Sequence, residues 1–406
     1  MSSSDRDFQF KLIGKRMAWA LGYVPLLNVP ILLPESASNR SGIELSDADV
    51  FGVRFGPSGQ VSRMLIDCKT TTGRAVDRVL WVKGLHTFLA LDELYLFKTR
   101  IPANARWLAK ELNINCLDEE EIEALEERLG LHRLKGPYFD GTGYEQVRLM
   151  FTSFPKGSDY RAIVQFLTGG IWTLSPAKRV ITLTNLGGQN NLNRKLRPSE
   201  PAHVVLVLQG ALMLAISLGL LASQLNVVDT LNVEKRLREE LHGGADFLEQ
   251  KVRYLDVLSR LSLESGADVR EATIDFDGFP SLLEQVNRLI VRRYALNDAT
   301  RVIDLALHYL AVGSSGLPGH LGGTQTSLPA KIASDILSLF VRSNGFDEKF
   351  SSAIIALLEE RDDQPEKDTI TQPSPIASGT QVSLLDPLPP MENQDQRYRS
   401  RIVLEN

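Results

Sequence analysis

The sequence predicts an α/β N-terminal domain, a mixed sheet flanked by helices, followed by a mainly α-helical domain and a disordered C-terminal tail. Three observations carry this. Ala48–Phe55 and Val61–Lys69 are rich in Val, Ile, Phe and Leu and flank Gly56-Pro57-Ser58-Gly59, the pattern of two paired strands around a tight turn. Beyond residues 130–143, with four glycines and a proline, the apolar positions fall mainly at helical spacing. From Arg361 onward there are six prolines, no period and too little apolar content to form a core. The expected divisions are 1–135, 136–360 and 361–406.

In chain order, Phe8–Gly22 reads as an amphipathic helix with Phe8, Leu12, Ile13, Met17 and Leu21 inward, ended by Gly22. Val24–Leu33 is apolar but interrupted by Pro25 and Pro30, as in an edge strand or extended segment. Residues 34–46 read as a polar loop. Ala75–Leu91 is a helix, Leu94–Thr99 a short strand, and Ala103–Leu112 and Asp118–Leu129 two further helices. The acidic run Asp118–Glu121 suits the positive end of the last one.

Tyr160–Leu167 and Pro176–Thr184 are separate elements of open type, and Asn185–Asn191 is a polar loop leading into Arg194, Lys195 and Arg197. His203–Leu225 carries no charge and is long enough to span a bilayer. Its Gln209, Ser217, Ser223 and Gln224, and the lack of aromatic anchors, favour the central helix of a bundle instead. Helical segments follow at 233–263, broken near His242-Gly243-Gly244, then at 282–296, 301–312, 330–343 and 346–360, with a glycine-rich hinge at 313–329.

Side chains alternate across a strand, so Leu65, Asp67 and Lys69 share one face and Met64, Ile66 and Cys68 the other. In the simplest hairpin register Asp49 lies opposite the end of the second strand, within reach of Asp67. The result is two acids and a lysine at one sheet edge. Such carboxylates suit Mg²⁺, a hard cation often held by one or two acids plus phosphate oxygens. A metal there lowers the pKa of a bound water and neutralises a phosphate, while Lys69 orients that water or stabilises developing charge. The competing reading is a solvated salt-bridge cluster. Arg74, at the end of the loop after Lys69, and Arg78 and Lys83 on the next helix either reach phosphates or form a plain solvated face.

The order helix, Asp-bearing strand, turn, strand with Asp-x-Lys, helix, strand resembles the PD-(D/E)xK, or restriction-endonuclease-like, nuclease superfamily over about residues 8–130. Asp49, Asp67 and Lys69 match its motif, in the wording Leu-Ser-Asp-Ala-Asp-Val-Phe-Gly-Val and Ile-Asp-Cys-Lys-Thr. The resemblance implies an endonuclease hydrolysing DNA phosphodiester bonds with Mg²⁺ or Mn²⁺, in restriction, antiviral defence or repair. It implies DNA as partner, with a protein encoded nearby and a homodimer as further expectations. Many members carry a Glu on the first helix; Phe8–Tyr23 has none, and Glu44 or Asp47 is the substitute considered as a metal ligand. That gap motivates the alternative of a non-catalytic nucleic-acid-binding or assembly subunit.

The remaining counts bound the classes. The formal net charge is −5, yet up to Glu111 there are 15 Lys and Arg against 11 Asp and Glu, so the acidity sits elsewhere, largely in the tail. Two cysteines, Cys68 and Cys116, encode no disulfide framework, and with no basic-then-apolar leader a cytoplasmic location is expected. There is no Gly-x-x-x-x-Gly-Lys-Ser/Thr loop, no histidine pair at metal-binding spacing and no Gly-x-Ser-x-Gly elbow.

Overall fold

In a computed structural model the described residues are 3–32, 44–70, 74–225, 232–265, 275, 278–318, 327–359 and 361–362. Strands β1 (Val24–Leu32), β2 (Glu44–Phe55) and β3 (Val61–Lys69) form an antiparallel meander. Helix α2 (Ala75–Leu89) crosses over to β4 (Glu93–Lys98), parallel to β3, and α3 (Ala103–Glu111) crosses to the three-residue β5 (Asn115–Leu117). The sheet order is β1-β2-β3-β4-β5.

Both faces of this sheet are covered, which is why the hairpin strands are apolar on both sides where they pair. Val50, Met64, Ile66 and Phe97 pack beneath α1 (Ser3–Ala20) and α4 (Glu119–Leu129), with Phe10 and Met17 from α1 and Ile122 and Leu125 from α4. Phe51, Val53, Leu65 and Leu96 enter the larger core with Val79, Val82 and Leu85 of α2. Helix α4 opens with a reciprocal capping box, Asp118 accepting from the Glu121 amide and Glu121 from the Asp118 amide. Gly14 lets α1 lie close on the sheet: a Cβ there would stand 3.2 Å from Val50 Cγ2.

The larger core continues without a break into the helices that follow. These are α5 (Thr142–Ser153), α6 (Asp159–Thr168), α7 (Pro176–Thr184), α8 (Leu192–Lys195) and α9 (Pro201–Leu225). Then come α10 (Val233–His242), α11 (Ala245–Ser265), α12 (Phe279–Val291), α13 (Arg293–Ala311), α14 (Ser327–Ser343) and α15 (Lys349–Glu359). The described residues group as one compact unit, and across the division expected at 135/136 the chain changes from α/β to helix while the larger core continues.

Helix α9 is the one described helix long and apolar enough to cross a membrane, and nearly all of its residues are buried. Its neighbours in the core include α7, α13 and α14.

Several boundaries differ from expectation. Helix α1 starts at Ser3, five residues before the apolar period begins, because polar residues can extend a first turn that packing has already fixed. Strand β2 starts at Glu44 inside the expected loop, drawn out by pairing with β1 through Ile31–Ser46 and Leu32–Glu44. The break between the 282–296 and 301–312 segments falls instead at Arg292, between α12 and α13. The expected disordered tail lies outside the described residues, apart from Arg361–Asp362 (β7), which pairs with Leu317–Pro318 (β6).

Candidate functional site

Paired residues run Val50–Ile66 in β2 and β3, so one step further Asp49 meets Asp67 where the ladder ends. Their side chains are 0% and 1% exposed. One Asp49 oxygen, Oδ1, lies 2.6 Å from Lys11 Nζ of α1. The other, Oδ2, accepts from the Cys68 amide at 2.8 Å and from Lys69 Nζ at 3.2 Å. Lys11 Nζ also donates to Asn28 Oδ1 at 2.5 Å. The Asp67 carboxylate takes a fork from Arg78 of α2, Nε donating to Oδ2 at 2.6 Å and a terminal nitrogen to Oδ1. That guanidinium stacks on the Trp81 ring, 3.8 Å from its centroid.

Four cations thus surround two buried acids, because the register Lys69–Lys98 also sets buried Lys98 of β4 beside Lys69. The two carboxyls respond differently. Burial alone pushes Asp49 up, but the Lys11 hydrogen bond, the Lys69 and Lys11 charges and the Cys68 amide outweigh it and hold Asp49 below the ordinary Asp range. For Asp67 burial wins: despite Arg78 its pKa is raised, with the Asp49 charge adding to the rise. Burial also depresses Lys98. Neighbouring carboxyls driven in opposite directions are a recurrent feature of reactive sites.

The structure brings together Asp49, Asp67, Lys69 and Arg78 among the residues singled out from sequence. Cys68 points away and packs in the core, as its alternation requires. Glu44 does not join: it is exposed at the far end of β2, five residues from Asp49, or roughly 16 Å along an extended strand. Asp47 is half-exposed, 3.9 Å from Lys11. Arg74 is exposed and paired with Asp77, and Lys83 lies two turns along α2 from Ala75, half-buried.

Sequence reasoning missed Lys11, Asn28, Lys98 and Asp7. Asp7 is one of two acids carried by the first helix, with Asp5; its Oδ1 accepts from the Thr70 amide at 2.8 Å and from the Thr70 hydroxyl at 2.5 Å, just past Lys69. Only the helix start at Ser3 places it on α1. Among the described residues no group of three or more His, Cys, Asp or Glu is close enough to hold an ion. Asp49 and Asp67 nevertheless supply the hard oxygen donors that a divalent cation takes, and Lys11 and Arg78 sit on those oxygens as the positive charge that balances them. A metal ion at Asp67 requires Arg78 to turn outward. No family model, curated protein or solved structure matches the chain.

Proposed function

We propose that this chain is a divalent-metal-dependent nuclease acting on DNA, with Asp49, Asp67 and Lys69 as its reactive group. One observation carries the reading: two fully buried carboxylates stand side by side where the pairing of β2 with β3 ends, with a lysine 3.2 Å away that is 30% exposed. Burying charge costs several kcal/mol per ion and a hydrophobic replacement is often as stable, so such a cluster is better explained by chemistry than by folding. The order α1, β2, β3, α2, β4 supports it, matching the order that the resemblance implies apart from the additional strand β1 after α1.

Asp49 and Asp67 would hold the metal, which when bound polarises a phosphoryl oxygen and acidifies a water. The chain's own residues do the rest. Lys69, anchored on Asp49 yet open to solvent, orients the attacking water and meets the charge that develops on the phosphate. Arg78 exchanges the Asp67 carboxylate for a phosphate, whose geometry its fork fits equally well. Lys11 keeps Asp49 ionised.

The excess of cations favours a second reading, a non-catalytic subunit that grips a nucleic-acid backbone at this site. Purified protein incubated with plasmid, linear and single-stranded DNA, and RNA for comparison, in Mg²⁺ or Mn²⁺ separates the two. The expected result is DNA cleavage that falls at least ~10²-fold in Asp67→Asn and Lys69→Met with the circular-dichroism spectrum unchanged. Salt-sensitive DNA binding without cleavage refutes the nuclease reading and selects the second one.

A further inference from the structure

A second buried polar group lies one helical turn along α1 from Lys11, on the same side of the helix. Lys15 is 1% exposed. Its ammonium has three donors to satisfy, yet among the described residues no carboxylate lies within 4.0 Å of it; it sits over the Tyr138 ring at 3.6 Å and 3.4 Å from His308 Nε2. The nearby acid, Asp304, is engaged elsewhere, accepting from the Tyr138 hydroxyl. Burial lowers the Lys15 pKa to about 8, partly offset by the charges of Asp304 and Asp140.

Lys15 lines a cavity of about 330 Å³ bounded by β1, α5, α6, α9 and α13, within the size range of small-molecule sites. Most of its wall is apolar, including Leu26, Val147, Phe151, Trp172, Leu212 and Met213. Around it stand three cations, Lys15, Arg148 and Arg161, against one acid, Asp304. Arg148 is exposed, at the rim, and Lys15 lies deep. An apolar chamber with an under-satisfied ammonium at its base is complementary to a molecule with an apolar body and one negative group.

We propose that this cavity binds a compact organic anion, its ring-sized apolar body against Phe151, Trp172 and Met213 and its single acidic group on Lys15. The site is independent of the nuclease reading, although the two meet at Asn28, which lines the cavity and accepts from Lys11.

Two dyes with the same body test it: anilinonaphthalene sulfonate and the neutral N-phenyl-1-naphthylamine, titrated by fluorescence and calorimetry against the full chain. The expected result is saturable one-to-one binding of the sulfonate, at least tenfold tighter than the neutral dye. Lys15→Met brings the two affinities together, and Gln165→Trp, from an exposed position on the cavity lining, weakens both at least tenfold. Should Lys15→Met fail to fold, the Lys15→Met/Asp304→Asn double variant removes both charges at once and carries the same expectation. Absence of saturable binding, or a preference for the sulfonate that survives the loss of Lys15, overturns the proposal.

Discussion

Replacing Arg78 with Met isolates the strongest ion pair of the acid site. The substitution keeps an unbranched apolar stem over Trp81 but leaves the Asp67 carboxylate, 1% exposed, without its fork. Breaking a buried pair by removing one partner costs about 3–5 kcal/mol. Arg78 is itself 24% exposed, so water reaches one side of the pair and the lower end, ~3 kcal/mol, applies at pH 8. The loss depends on pH. Asp67 is already raised by burial and by Asp49, and without Arg78 it rises further. An acid whose folded pKa lies above its unfolded value of ~3.9 binds more protons when native, so stability falls as pH rises through the folded value. The deficit of Arg78→Met is therefore small at pH 4 and full at pH 8. Urea unfolding followed by circular dichroism at both pH values measures it, with Arg78→Lys expected to recover only part because an ammonium cannot fork. A deficit below ~1 kcal/mol at pH 8, or one equal at both pH values, refutes the reasoning from a buried, Arg-dependent carboxylate.

Two further perturbations probe the helical core. Burial raises the Asp304 pKa to about 6, against the pull of Lys15, Tyr138 and Arg301, so its stabilising contribution is complete below ~4 and declines as pH rises through 6. Asp304→Asn removes that decline, and the difference in unfolding free energy between wild type and variant changes by ~2–3 kcal/mol from pH 4 to pH 7; a constant difference contradicts it. A Cβ at Gly210 of α9 would overlap the Phe340 ring of α14, so Gly210→Val lowers stability by ~1–3 kcal/mol in urea titrations and Phe340→Leu on the same chain recovers part of it. An unchanged midpoint for Gly210→Val disproves that close approach.

The hairpin was readable because its two signals agree: strand alternation fixes Asp67 and Lys69 on one face, and the turn at residues 56–59 fixes which residues pair. What surrounds the acids was not. Lys11 reads as the polar side of an amphipathic helix, and nothing local reveals that Gly14 lets that helix settle close enough for Lys11 to meet Asp49. Arg78 reads as a cation but not as the partner of Asp67, a pairing made by the crossover of α2. Strand β5 is only three residues long and sits between helices, too short for any period to register. The α12–α13 break carries no glycine or proline at Arg292 to announce it. Lys15 and His308 are 293 positions apart, and only the packing of α13 beside α1 and β1 makes them neighbours.

The irregular edge strand bears on how two copies of this chain can associate. Among the described residues β1 pairs with β2 alone, and within its nine residues it holds Pro25, Pro30 and Asn28, the last with φ of 51°. A proline lacks the amide that an incoming strand would need, and a left-handed residue turns the ladder out of line. At the opposite border β5 offers three residues. Among the described residues both borders of the five-stranded sheet are therefore poor templates for strand addition, which disfavours edge-to-edge aggregation. If the proposed nuclease acts as a homodimer, its subunits would meet through surface other than these strand edges.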